Sequence, residues 1–386
     1  MLTAGIIAEY NPFHNGHKYQ IEQTRKLGAT HIAVVMSGDC VQRGETAIFS
    51  KYERANIALS QGADLIIELP CPYSCSNGEI FAKSAVRLLA GLGKNAVNML
   101  SFGSESGDID LLLKSAEYSS QLKDSSLVKE NLSKGMTYPQ AIHSAAEKIY
   151  GKEKCSLFSY PNNLLGIEYI KAINEFAEWI RPVPIKRTAV HHDSEERSEN
   201  FASAGEIRKM IRRGEDYSEF VPCKFGKNFS LEERMGKAVL FKILTSSKED
   251  ILSLPDSNED IANRFIYAVN SLPISVQEFA QNLKTKNITM ARIRRLILHL
   301  CLGVKSADII PPPYGRIIGL NDRGREILAN AKERNIPYDT SLKKLENSGY
   351  SAKRISFLEQ NAVRFREMCS NDPFSNEYKK KIVLYK

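Results

Sequence analysis

Long apolar runs are missing from this chain of 386 residues: none approaches the roughly 18 consecutive apolar residues that a membrane span needs. The opening MLTAGIIAEY has neither a basic segment nor a small-residue cleavage site, so no signal peptide is expected. A disulfide framework is lacking too. The seven cysteines (Cys40, Cys71, Cys75, Cys155, Cys223, Cys301 and Cys369) are odd in number and scattered. Cys71 and Cys75 come nearest to a pair, but their spacing is wrong for a redox CxxC, and buried free thiols in a reducing cytosol are expected. There are no internal repeats and no low-complexity tracts. No GxxxxGK[ST] loop occurs, which disfavours a Walker-type NTPase.

What is present divides unevenly. Of 53 Lys and Arg against 45 Asp and Glu, residues 221–386 hold 28 against 18, leaving 25 against 27 upstream. The net charge of +8 therefore sits in the back of the chain and suits a polyanionic partner there. The front alternates strand-like runs (TAGIIAE, HIAVVMS, DLIIELP, AVNMLSF) with helical patterns near residues 17–27, 50–61 and 76–92, closed in the first two cases by Gly28 and Gly62. That alternation predicts βαβ units around a parallel sheet. A helix is expected after Pro161 and then a strand, RPVPIKR, whose prolines place it at a sheet edge or make it short. From Leu231 helical periodicity dominates, and the chain ends on a strand-like KIVLY. The expected architecture is α/β, a Rossmann-like parallel sheet in residues 1–220 followed by a mostly helical, basic domain in 221–386.

Just after the first strand stands "YNPFHNGH", which puts His14 and His17 three apart around Gly16 at the start of a helical pattern. A parallel sheet binds ligand at the carboxyl ends of its strands. A helix N-terminus there offers unpaired N–H groups to phosphate. Gly16 lets a phosphate approach the backbone, and imidazoles at i and i+3 share one face and can donate to its oxygens. The arrangement suits in-line attack on the α-phosphate of a nucleotide, with His14 and His17 stabilising the transition state.

HNGH in this context resembles the signature of the nucleotidylyltransferase superfamily. More narrowly, "GIIAEYNPFHNGH", "MSGDCVQRGE", "GADLIIELP", "SFGSE", "YPNNLLGIEYIKA" and "IKRTAVHHD" occur in an order that resembles the bacterial tRNA(Met) cytidine acetate ligase family, and "KTKNITMARIRRLILHL" and "YGRIIGLNDRGREIL" continue the likeness. The resemblance implies that ATP and acetate condense to acetyl-adenylate. The acetyl group then passes, without acetyl-CoA, to the exocyclic amine of the wobble cytidine of elongator tRNA(Met), giving N(4)-acetylcytidine. It maps ATP binding onto Ile7, Ala8, Glu9, Tyr10, Asn11, Pro12, Phe13, His14, Asn15, Gly16, His17, Lys18, Tyr19 and Gln20, and onto Gly103, Asn162 and Arg187, with Asn163 the fallback for Asn162. Mg²⁺ is expected to accompany ATP, with no protein ligand named.

Independently, an amide such as Asn162 can read a purine edge or sit as a helix N-cap, and Arg187 offers a planar fork to phosphate or takes a surface ion pair. Lys51 and Arg54 read equally as a cationic rim or as a solvated helix face. His191-His192-Asp193 replaces the family's Tyr-His-Asp, and no metal is expected there. FASAGEIRKMI keeps only Ser203, Ile207 and Arg208 of the superfamily's second phosphate motif, which leaves Arg208 a candidate contact. Asp39-Cys40 replaces the family's Asn-Phe. In the back half Lys284, Lys286, Arg292 and Arg295 are the candidate tRNA contacts, with Ile293 and Leu296 turned to the core. Two other readings compete with a tRNA-modifying ligase. A small-molecule adenylyltransferase has no evident need for the basic back half. A non-catalytic RNA-binding protein has none for an intact His14-Asn15-Gly16-His17.

Overall fold

A computed structural model describes residues 1–386 except 135, 137, 152 and 188–199. The front half follows the expected alternation. Strand β1 (Thr3–Ala8) leads to α1 (Asn15–Lys26), then β2 (His31–Ser37), a two-rung hairpin of β3 (Cys40–Val41) and β4 (Glu45–Thr46), α2 (Lys51–Ser60), β5 (Leu65–Leu69), α3 (Gly78–Ala90) and β6 (Met99–Ser104). Helices α4 (Ile109–Leu122), α5 (Ser126–Ser133), α6 (Tyr138–Tyr150) and α7 (Pro161–Phe176) then precede β7 (Arg181–Lys186) and α8 (Ala204–Arg213).

The back half holds α9 (Gly236–Leu244), α10 (Lys248–Leu252), α11 (Glu259–Asn270), α12 (Val276–Leu283) and α13 (Met290–Leu302), followed by β8 (Gly315–Leu320), α14 (Asp322–Asn330), β9 (Tyr338–Asp339), α15 (Leu342–Glu346), α16 (Tyr350–Cys369) and β10 (Val383–Leu384).

The main sheet runs in the order β10-β8-β5-β2-β1-β6-β7, with β9 beside β8. The ladders β5-β2-β1-β6-β7 are parallel, and their central strands are buried along nearly their whole length, as sheets covered on both faces require. β7 lies at the edge, where Pro182 and Pro184 cost the fewest ladder bonds. Residues beyond 220 also enter this sheet. β8 pairs antiparallel with β5, matching Leu65 to Leu320 and Glu68 to Arg316, and β10 pairs with β8. GRIIGL, expected within a mostly helical stretch, is thus a fully buried strand.

Apolar side chains fill both faces of the sheet. A separate cluster around Phe265, Phe279, Ile293 and Leu296 holds α9–α13 together. The chain moves outward from β1 through β2 to β5, then returns to β1's other side with β6. That reversal puts the topological switch point between β1 and β6, where a parallel sheet opens a crevice for ligand. No helix among the described residues is long and apolar enough to cross a membrane.

Candidate active site

The turn from β1 to α1 is built by its own side chains. Ile7 ends the buried part of β1, and Ala8 and Glu9 are partly exposed at its carboxyl end. Tyr10 takes φ +48° and packs its ring on Phe13 and His17, at centroid distances of 4.7 and 4.9 Å. The Asn11 side-chain oxygen accepts from Ile48 N–H (2.8 Å), while its carbonyl accepts from Arg208 Nη1 (2.7 Å). Pro12 and Phe13 are buried beneath the turn.

His14 is the N-cap of α1, in extended conformation, and its Nδ1 accepts from Gly16 N–H at 3.0 Å. His17 Nδ1 in turn accepts from His14 N–H at 3.2 Å. The rings stack at 3.8 Å. Because both Nδ1 atoms accept from backbone N–H groups, both imidazoles are the neutral tautomer with the proton on Nε2. Each ring therefore carries its donor proton on Nε2. A Cβ on Gly16 would come within 2.8 Å of His14 Cε1, so the glycine also makes room for this pairing. Asn15 anchors the helix start by donating to the carbonyls of Asn200 and Glu219, and Gln20 Nε2 donates to Ser101 O (3.1 Å). Lys18 is exposed, 4.0 Å from Glu22, and Tyr19 is partly exposed.

The facing wall comes from β6. The ladder pairs Ile6 with Ser101, so Ala8 and Gly103 end neighbouring strands on the same side of the sheet. Arg187 N–H donates to Ser104 O (2.9 Å), and its side chain passes over Gly103, where a Cβ would lie 3.6 Å from Arg187 Cγ. Burial lowers the affinity of Arg187 for its proton, and Glu105 opposes that shift.

Asn162 is not the N-cap of α7. Tyr160 occupies that place without a side-chain bond, Pro161 starts the helix, and the free N–H groups of Asn162 and Asn163 go to the Glu105 carboxylate at 3.2 and 2.9 Å. Asn162 Nδ2 also donates to Glu105 (2.6 Å). Asn163 is wholly buried and accepts from Ser104 Oγ and Glu105 N–H, which commits its oxygen to the SFGSE loop and leaves the partly exposed Asn162 at the crevice. Glu105 went unrecognised in the sequence, although it lies two residues past Gly103 in the same motif.

A donor-lined turn and an Arg-lined strand end, facing each other across the switch point, form a nucleotide-binding geometry. The family model described as HIGH Nucleotidyl Transferase matches residues 1–381. A tRNA(Met) cytidine acetate ligase of Acetivibrio thermocellus is 34% identical over 97% of this chain and 96% of its own. The chain belongs to the tRNA(Met) cytidine acetate ligase family. A Staphylococcus aureus ligase of the same name is 33% identical over 98% of this chain and all of its own. Two crystal structures of Thermotoga maritima TmcAL share the fold. The apo form has a TM-score of 0.89 at 27% identity, covering 100% of this chain and 99% of that one. The form bound with α-thio ATP has a TM-score of 0.84 at 28% identity, covering 95% of each.

The remaining cations of this family member are distributed differently from expectation. Lys51 and Arg54 form neither a rim nor a solvated face, since both are fully buried. Lys51 Nζ meets Glu68 (2.5 Å), Glu377 (2.6 Å) and Glu359 (2.9 Å). Arg54 gathers the carbonyls of Phe49, Glu9, Ser37 and Gly38 at 2.5–3.1 Å, which ties the nucleotide turn to the end of β2. Arg208, buried against Asn11, does stand at the turn.

In the back half, Ile293 and Leu296 face the core as expected. Arg292 and Arg295, however, are bound to Asp256 at 3.3 and 3.2 Å. Lys284 and Lys286 are exposed. Lys286 lines a groove of about 500 Å³ with Lys134, Gln140, His143 and Glu147. Arg294, in the same basic stretch, pairs with Glu45 of the β3–β4 hairpin, and a side chain at Gly44 would strike the backbone of Arg294 and Arg295. All seven cysteines are free, with Cys71 and Cys75 sulfurs 3.8 Å apart. His191, His192 and Asp193 lie outside the described residues. Among the described residues, no group of three or more His, Cys, Asp or Glu is placed to hold a metal ion.

Proposed function

We propose that this chain is an ATP-dependent ligase that activates acetate as acetyl-adenylate and acetylates the exocyclic amine of the wobble cytidine of elongator tRNA(Met). The observation that carries the reading is the His14–Gly16–His17 turn at the switch point, where the N-terminus of α1 is capped by two stacked imidazoles whose Nδ1 atoms accept from backbone N–H groups. Its support is family membership over nearly the whole chain and the α-thio ATP held by the T. maritima relative.

In this reading the stretch from Ile7 to Gln20 cradles the triphosphate. Gly103, Asn162 and Arg187 take the nucleoside side, and Arg208 adds positive charge behind the turn. An acetate oxygen attacks the α-phosphorus as pyrophosphate leaves, and the two imidazoles stabilise charge on the phosphoryl oxygens. Mg²⁺ accompanies the triphosphate. Lys284 and Lys286 serve the tRNA, in the basic region from residue 221 onward. The expected location is the cytoplasm, with its tRNA pool.

Mass spectrometry of tRNA(Met) incubated with enzyme, ATP and isotopically labelled acetate tests the reading. A labelled acetyl group on the wobble cytidine is expected, and an unmodified nucleoside alongside active pyrophosphate exchange would refute the tRNA substrate. A small-molecule adenylyltransferase would instead exchange pyrophosphate with another acceptor and leave RNA untouched.

A further inference from the structure

Joining an acyl group to an aromatic amine releases one proton, and a group near the acyl carbon must receive it. The imidazoles are unsuited, because His14 and His17 both use Nδ1 as an acceptor and present Nε2–H. Glu105 is bound to the start of α7 through both oxygens. Glu45 is paired with Arg294 and lies 4.0 Å from Arg208.

Glu9 is placed differently. It is the first residue past β1, where the central strand's carboxyl end opens into the phosphate turn. Arg54 fixes its carbonyl (2.6 Å), and Gln42 N–H donates to its Oε1 (2.9 Å). The backbone is thus fixed by Arg54 and the carboxylate by Gln42, and no ion pair among the described residues engages that carboxylate. Burial pushes the Glu9 carboxyl above the usual range. Gln42 N–H, Arg208 and Arg43 oppose the shift, and Glu45 reinforces it. From α7, Tyr169 also lies within its field.

We propose that Glu9 is the proton acceptor of the acetyl-transfer half-reaction, an inference that rests on the ligase reading above. The cytidine N4 forms a bond to the acyl carbon, and the bond from that carbon to the adenylate oxygen breaks, its electron pair leaving on AMP. The amine proton passes to the Glu9 carboxylate and then to water. The first half-reaction needs no such group, because acetate attacks as an anion with no proton to lose.

Glu9→Gln keeps an acceptor oxygen for Gln42 N–H and removes the base. In full-length enzyme, acetate-dependent pyrophosphate exchange and single-turnover transfer of labelled acetyl to tRNA(Met) are compared. Because Glu9 lies in the ATP-binding stretch, both are read at saturating ATP, and transfer should fall about 10²–10³-fold beyond any fall in exchange, the scale of losing a positioned general base. The wild-type transfer rate should rise with pH along a limb that Glu9→Gln lacks, and Glu9→Asp should restore part of the rate. Transfer within about threefold of wild type overturns the assignment, and so does a loss of exchange as deep as the loss of transfer. Wild-type enzyme that neither exchanges nor transfers defeats the ligase reading itself, and this inference with it.

Discussion

At the scale of single residues, the His14–His17 pair makes the sharpest demand. Replacing either with Ala removes one Nε2 donor and should slow acetate-dependent pyrophosphate exchange by about 10²–10³, measured at saturating ATP. Gly16→Ala should do similar damage without removing a donor, because its Cβ would push His14 from a position 2.8 Å away. Glu232 offers a pH test. Its carboxylate accepts from Thr46 N–H (2.7 Å), and burial followed by the charge of Glu45 raises its pKa to about 7. A folded-state pKa above the unfolded value means stability that is full below about pH 4.5 and lost as pH rises through about 7. Glu232→Gln should therefore be more stable than wild type in urea unfolding at pH 8, by on the order of 3 kcal/mol, and match it at pH 4.5. The His-x-Gly-His turn was legible because its bonds run between residues at most three apart. Lys51 and Arg54 were not legible, because what buries Lys51 arrives from residues 68, 359 and 377.

Among the elements, α13 and the loop before it place the four cations that the sequence had pooled in different surroundings, two paired and two exposed. Arg292 and Arg295 grip Asp256, so Arg292→Ala with Arg295→Ala should lower stability by about 1–3 kcal/mol in urea unfolding, and Asp256→Ala should reproduce that loss. Lys284→Ala with Lys286→Ala should leave stability unchanged. Its expected effect is to flatten the plot of log tRNA affinity against log salt by about 1–2, as two lost phosphate contacts require. An unchanged slope would remove these lysines from the tRNA surface. Periodicity revealed which face of α13 is buried, but it carried no information about Asp256, thirty-odd residues away. Pro182 and Pro184, which lack a ladder donor, left β7 either at an edge or short, and the sheet order decides for the edge. The strand GRIIGL was short enough to pass for a connector, and only its pairing with β5 reveals it.

Over the whole molecule, one buried group of charges connects the parts. Lys51 on α2, Glu68 on β5, Arg316 on β8, Glu359 on α16 and Glu377 near the end meet with almost no exposure. The two cations hold Glu68 down to about 2 against its burial. Lys51→Met would leave three carboxylates around an apolar side chain and should cost about 3–5 kcal/mol, seen as a lower urea midpoint. Glu68→Gln with Lys51→Met should recover part of that loss.

The same knot has a bearing on synthesis. Lys51 leaves the ribosome roughly three hundred residues before Glu359 and Glu377. Until they do, the Lys51 amine has, among the described residues, only Asp39 and Glu68 as paired counter-charges, and β5 lacks its neighbour β8. The buried cluster and the outer part of the sheet are thus completed together, only after the segment carrying β8, Glu359 and Glu377 has been made.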